Sequence, residues 1–370
     1  MPKARVFFTS MRCSLGDSLL MKLQRLLKAG GVEDIDFRKK FAAIKIHFGE
    51  PGNLAFLRPN FARTVARRIE QLKGFPFLTD CGTLYVGRRT HALAHLDAAY
   101  ENGYGPYAAG CHIIIGDGLK GSDESDVPVR NGEHVKVAKI GRAIMDADVV
   151  VSLNHFKGHE ISGFGGAIKN VGMGSGSRAG KMAMHNDSKP QVSRKPCIGC
   201  GECRKFCAQD AITVAGGKAS IDHALCVGCG RCLASCPQHA IANSWSSGPE
   251  MVSFKMTEYA MAVLDGRPNY HINIVNQVSP FCDCHSESDA AVIPDIGIFC
   301  GPDIVAVDRA SIDAVNAAVP LSGTLGTEGK GPSEKGIFTS IHPATDWRSQ
   351  LAHAEKIGLG TQDYELVTVR

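Results

Sequence analysis

Eight cysteines fall between Cys197 and Cys236 in two copies of one spacing, and nothing else in this 370-residue chain limits its structure as much. The first copy is Cys197-x2-Cys200-x2-Cys203-x3-Cys207. The second is Cys226-x2-Cys229-x2-Cys232-x3-Cys236-Pro237. Three thiolates at every third position wrap one cube of iron and sulfide, and the x3 step carries the fourth to a neighbouring cube. The spacing therefore predicts two [4Fe–4S] clusters. One takes Cys197, Cys200, Cys203 and Cys236; the other takes Cys226, Cys229, Cys232 and Cys207. Gly199, Gly201, Gly228 and Gly230 leave room for backbone amides to approach the sulfides and tune their potential. Zinc is the competing reading, but it uses two separated pairs and leaves a third evenly spaced cysteine superfluous. A disulfide framework suits small exported chains. The opening segment, Met1 to Ser10, reads as a strand rather than an export signal, so a cytoplasmic, air-sensitive protein of an anaerobic or facultative host is expected.

These blocks are similar to the bacterial two-cluster ferredoxins over about 50 residues. The one departure is Ala208, where such ferredoxins carry proline after the fourth cysteine, and proline only shapes the turn. Between Gln191 and Trp245 stand six basic residues (Arg194, Lys195, Arg204, Lys205, Lys218, Arg231) and three acidic ones (Glu202, Asp210, Asp222). Positive charge stabilises reduced clusters and would dock an acidic soluble electron carrier or redox enzyme.

Outside this region the sequence alternates strand and helix patterns. Strand-like runs begin at Ala4, Phe41, Pro76, Cys111 and Asp148, with helical spacing at 17–28, 60–73 and 90–102. After Pro249 the rhythm resumes: a helix over 251–264, strands over 271–278, 296–300 and 304–307, and helices over 309–319 and 347–357. Such alternation predicts an α/β fold, a mostly parallel sheet covered by helices. The simplest organisation is one α/β domain split into 1–190 and 247–370, with an α+β two-cluster ferredoxin-like insertion at 191–246. A net charge of +4 without a Lys/Arg run argues against nucleic acid. No run approaches the 18 apolar residues of a membrane span.

The Gly-rich segment from His155 to Gly174 follows a buried strand, and ligands of open α/β sheets bind at the carboxyl ends of strands. His155, His159, Lys169 and, from an earlier strand end, His47 are the expected catalytic residues. Gly165, Gly166, Asn170 and His185 are the expected cofactor-binding residues. The glycines permit close approach of a ligand, and the lysine suits a small anionic group. Further on, Cys282-x-Cys284-His285 could hold zinc, nickel or iron, with Cys300 nearby, or could be buried cysteines packing as small hydrophobes. Cys13, Cys81 and Cys111 stand alone and read as core or loop residues.

The runs Lys45-Ile-His-Phe-Gly-Glu-Pro-Gly-Asn53, Asp80-Cys-Gly-Thr-Leu-Tyr-Val-Gly-Arg88, His155 to Gly174, and Cys282-Asp-Cys-His285 through Pro294-Asp-Ile-Gly297 resemble the family called domain of unknown function 362. That family name implies no established chemistry. A shorter stretch is similar to the nickel-pincer lactate racemase family. That likeness implies His159 as the motif histidine, a cofactor-tethering Lys169 and a nickel-ligating His185. Three functions follow as expectations: an iron–sulfur oxidoreductase passing electrons to a ligand or metal in the α/β cleft, a non-catalytic electron-transfer subunit, or a metal-cofactor isomerase with redox-sensing clusters.

Overall fold

The computed structural model describes residues 3–84, 87–185, 189–207, 209–226, 232, 235–242, 247–327 and 334–370. Cys229, one of the eight cysteines expected to bind iron, lies outside them.

The central sheet has eight strands. They are β1 (Ala4–Ser10), β2 (Phe41–Lys45), β3 (Phe75–Asp80), β4 (His112–Ile115), β5 (Val149–His155), β6 (Asn269–Val275), β7 (Gly297–Gly301) and β8 (Tyr364–Thr368). Their order is β8-β1-β7-β6-β5-β2-β3-β4. Every neighbouring pair is parallel except those made by β7, which runs antiparallel to both β1 and β6. The expected α/β architecture with a mostly parallel sheet is what the chain adopts.

Both faces are covered. Val149, Val151 and Leu153 of β5 point to one side, where they meet Leu23, Leu26 and Leu27 of α1 (Leu19–Ala29) and Phe61, Val65 and Ile69 of α2 (Pro59–Gln71). Alternate residues of a strand face opposite sides, so Val150 packs into the other layer. That layer includes α4 (Ala167–Ser175), α6 (Pro249–Leu264), α7 (Ile304–Ala317) and α8 (Trp347–Lys356), numbering α3 as Ala92–Glu101 and α5 as Arg178–His185. Strands buried on both faces explain the unbroken Val149-Val-Val run, which alternation of polar and apolar residues would have interrupted.

Two local readings change. Residues 304–307, expected as a strand, are the first turn of α7. Asp303 caps that helix, accepting from the amides of Val305 and Ala306 at 2.9 Å each, and the cap outweighs the β-branched run. The edge strand β8 carries exposed and half-buried residues and had no apolar signal to mark it.

The cysteine-rich segment sits between β5 and β6, which pair directly with each other in the sheet. Gln191–Val192 pairs antiparallel with Ile241–Ala242, so the segment leaves and returns at one place. Ile212–Ala215 and Lys218–Ile221 form a hairpin, and Cys197, Cys203, Cys232 and Cys236 share a separate apolar cluster with Ile212, Ala240 and Ile241. Lys120 of the α/β part lies over the Phe206 ring at 5.0 Å.

Candidate functional site

The parallel strands β2, β3 and β5 end on one side of the sheet, and the residues just past them line a cavity of about 600 Å³. Of the expected site residues, His47, His155, His159, Lys169, Asn170, His185, Cys284 and His285 all line it. The position is the one general to open α/β sheets, outside the carboxyl ends of strands.

One wall is a polar network. Lys45, fully buried at the end of β2, places Nζ 2.8 Å from Asp80 and 2.7 Å from the Asn170 side-chain oxygen. Asn170 spends its amide on the Lys45 and Leu153 carbonyls and on Asn154, so it holds the wall rather than presenting a free donor. Arg89 binds Glu50 at 2.7 Å and approaches His47 Nε2 at 2.7 Å. The other ring nitrogen of His47 accepts from the Gly49 amide at 3.0 Å. Burial, and then the Arg89 charge, hold His47 well below its ordinary pKa and so neutral.

The floor is an ion cluster on Asp283. This carboxylate is completely buried, 2.9 Å from His155 Nδ1 and 3.3 Å from Lys157 Nζ. Burial alone would raise its pKa; His155 and Lys157 outweigh that and hold it below the ordinary aspartate range. His155 Nε2 lies 2.8 Å from the Asn276 carbonyl, so both ring nitrogens face acceptors. His155 is thereby committed to holding the 276–283 loop against β5.

Above the floor a sulfur sits among donors. Lys169, on the first turns of α4, places Nζ 3.0 Å from Cys282 Sγ, and the Cys284 amide donates to the same sulfur at 3.4 Å. His159 Nδ1 accepts from the amides of Ile161 and Ser162 at 3.1 Å each, which leaves its proton on Nε2. The Cys284 thiol hydrogen bond, followed by the charge of Lys169 and a hydrogen bond from His159, holds the Cys282 thiol well below its ordinary pKa despite burial. Cys284, half-buried, is pushed the other way, because it donates to Cys282 and its sulfur is desolvated. Burial alone would lower the Lys169 pKa; the two sulfurs outweigh it and raise it.

Beside them, Glu160, Cys284 and His285 bring one donor atom each within 4.8 Å of one another. The geometry would admit a metal ion, but His285 is already paired with Glu160 at 3.0 Å. The remaining Glu160 oxygen is buried without a hydrogen-bond partner among the described residues. Cys282, expected as a ligand here, is outside this group and turned to Lys169. Cys300, expected nearby, lies in β7 and accepts from Tyr270 OH at 3.1 Å inside the opposite layer of the core. A second three-donor group, Glu133, His134 and His353, is tied up by neighbours: His353 binds Glu258 at 2.9 Å and Glu133 binds Lys356 at 2.8 Å.

Gly165 and Gly166, the two expected cofactor glycines, are packed against neighbouring side chains. A side chain at Gly166 would put Cβ 2.3 Å from Asp308 Oδ1, the carboxylate that caps α4 through the amides of Ala167 and Ile168. At Gly165 it would press on the Lys169 stem at 3.1 Å. His185 ends α5 one helical turn after Lys181, whose Nζ donates to the Gly176 carbonyl at 2.6 Å. Burial pushes the His185 pKa down to about 3.

Sequence reasoning did not single out Glu160, Asp283 as an ion-pair partner, Arg89, Lys181 or the cavity position of Cys81. Lys181 was detectable four residues before His185 on the same helical face. The others depend on contacts between distant segments.

In the cysteine-rich segment, Cys197, Cys200, Cys203 and Cys236 line one small cavity, together with Gly199 and Gly201. The two glycines adopt φ of +67° and +77°, which lets the loop turn around that cavity. The Ala219 amide donates to Cys197 Sγ at 3.3 Å and the Ala240 amide to Cys236 Sγ at 3.2 Å. Cys207 and Cys226 are half-buried and Cys232 is buried.

No curated protein matches the sequence. The chain is similar to the lactate racemase apoprotein from Thermoanaerobacterium thermosaccharolyticum at 10% identity and a TM-score of 0.41, covering 99% of this chain and 83% of that one. It is also similar to a protein from Thermotoga maritima at 11% identity and a TM-score of 0.36, covering 93% of this chain and 60% of that one. Among the described residues no helix is long and apolar enough to cross a membrane. The family model described as Domain of unknown function (DUF362) matches residues 42–313, well over half the sequence, and the chain belongs to that family.

Proposed function

We propose that this chain is an iron–sulfur redox protein in which two [4Fe–4S] clusters, carried on an inserted module at 191–246, serve the cavity at the carboxyl end of the sheet. The observation that carries the reading is the small cavity shared by Cys197, Cys200, Cys203 and Cys236. Three of these come from one cysteine block and the fourth from the other, which is the donor set that the interleaved spacing assigns to a single cube. The donor chemistry fits: four thiols, two glycine turns, and amides already aimed at two of the sulfurs. Cys226, Cys229, Cys232 and Cys207 would hold the other cluster. Bound clusters would supply one-electron transfer; binding and proton handling then fall to this chain's own side chains.

In the cavity those side chains suit a small anionic ligand. Lys181 is a buried and Lys169 a half-buried cation lining it, and the Glu160 oxygen without a partner among the described residues can accept a hydrogen bond from a bound molecule. His159 spends its Nε2–H on the Cys282 sulfur, and His155 and His47 hold the walls.

Iron and acid-labile sulfide measured on anaerobically purified protein, with electron paramagnetic resonance after dithionite, test this reading. About eight irons and eight sulfides per chain, with signals of two interacting clusters, are expected. Zinc at stoichiometry, or disulfides among these cysteines under anaerobic conditions, would overturn it.

A further inference from the structure

Cys282 and Cys284 are two residues apart, and the loop between them is a turn closed by the His285 amide on the Cys282 carbonyl at 3.1 Å. A turn brings positions i and i+2 closer than the about 7 Å of an extended chain, into the range a disulfide spans. The Cys284 amide already points at Cys282 Sγ. The two sulfurs are not equivalent. Cys282 is fully buried, with Lys169 at 3.0 Å, while Cys284 lines the cavity. One sulfur is thus presented to a ligand and the other is held behind it among donors.

We propose that Cys282 and Cys284 form a redox-active dithiol that reduces small disulfides entering the cavity. The proposal deepens the redox reading of this cavity and rests on it for the source of electrons. The step balances without further reactants. Cys284 passes its proton to the Cys282 sulfur it is hydrogen-bonded to and attacks a disulfide RSSR. This forms a Cys284–SR bond and breaks the S–S bond of the substrate. The departing thiolate takes the proton and leaves as RSH. Cys282, again a thiolate beside Lys169, attacks the Cys284 sulfur, forms the internal disulfide and expels RS⁻. Net, one thiolate, one thiol and RSSR become one internal disulfide, RSH and RS⁻. The protein has then given up two electrons, the number that two one-electron centres would return.

The alternative use of the same atoms, a divalent metal on Glu160, Cys284 and His285, would require the His285–Glu160 ion pair to break and a metal dication to settle near Lys169.

Full-length protein equilibrated anaerobically in cysteine/cystine mixtures, acid-quenched, alkylated and digested tests the assignment by mass. The expected result is a single two-electron transition in which Cys282 and Cys284 together become inaccessible to alkylation while Cys300 on the same peptide stays reactive after unfolding. Cys282→Ser should accumulate one cysteine adduct on Cys284, because the resolving sulfur is gone; Cys284→Ser should accumulate none. Lys169→Met should shift the exchange equilibrium at least tenfold toward the disulfide. Two thiols alkylatable in every mixture, or zinc bound at stoichiometry and blocking alkylation until it is chelated, would overturn the proposal. The thiol readout is independent of iron content, so failure of the iron–sulfur reading would show in iron and sulfide analysis while this assay still reports on the pair.

Discussion

The Lys169 ammonium lies 3.0 Å from the Cys282 sulfur although 113 positions separate the two residues. Lys169 is delivered by α4 and Cys282 by the loop after β6, so the pair forms only when the halves of the α/β sheet on either side of the cysteine-rich segment come together. The hydrogen bond from Cys284 and the Lys169 charge both favour the charged form of the sulfur. Replacing Lys169 with Met removes an opposite charge in a buried place, an effect worth about 1–3 pKa units. The pH midpoint for iodoacetamide reaction at Cys282, followed on its peptide, is expected to rise by that amount, with the midpoints of exposed cysteines unmoved. An unchanged midpoint would show that Cys284 alone holds the thiolate.

Asp283 makes a prediction about stability. Its carboxylate is buried between His155 and Lys157, and its pKa is depressed in the folded state. A depressed carboxylate contributes stability above its unfolded pKa of about 4 and loses it as pH falls toward the folded value. Asp283→Asn leaves Lys157 buried without its counter-ion, so the cost at pH 7 is expected to be about 3–5 kcal/mol in urea unfolding. The gap between the two proteins should narrow steadily below about pH 4, because the unfolded wild-type chain takes up a proton there that the folded carboxylate does not. A gap constant down to pH 2 would place the cost elsewhere.

Gly166 tests how Lys169 is positioned. Asp308 accepts from the amides of Ala167 at 2.7 Å and Ile168 at 2.9 Å and from Asn273 Nδ2 at 2.8 Å, which anchors the start of α4 to α7 and β6. Gly166→Ala would push Cβ into that carboxylate. The expected loss is about 1–3 kcal/mol, the cost of disturbing a buried hydrogen-bonded group. The same substitution on an Asp308→Ala background should cost much less, since the clashing atoms are gone. Equal losses on both backgrounds would mean that Gly166 matters for another reason.

These residues show where a sequence can be read and where it cannot. The parallel strands other than the edge strand β8 announce themselves because each is a short apolar run bounded by turns, and their order along the chain alone implies βαβ units. His47, His155, His159 and Lys169 were legible because strand ends in such folds carry ligands. What each does was not legible. His155 and His159 are four residues apart in one Gly-rich stretch. Yet one is clamped between Asp283 and a carbonyl, while the other keeps a proton on Nε2. That difference is made by Asp283, 128 positions away, and by two backbone amides, neither of which leaves a mark in local composition. The contact that Gly166 makes leaves no local mark either. Its neighbour is Asp308, which only the packing of α7 brings near.

The cysteine blocks allow a test of connectivity as well as composition. Cys197 and Cys236 belong to different blocks but line the same small cavity, each with a backbone amide bonded to its sulfur. If four thiolates from the two blocks hold one cube, removing either of these sulfurs strips the same site. Cys197→Ser and Cys236→Ser should each lower iron from about eight to about four per chain and remove the same resonance, and the double variant should fall no further. Cys226→Ser should remove the other resonance. Were Cys236→Ser to act on the signal lost in Cys226→Ser instead, each block would be holding its own cube and the interleaved assignment would fail, whatever the total iron.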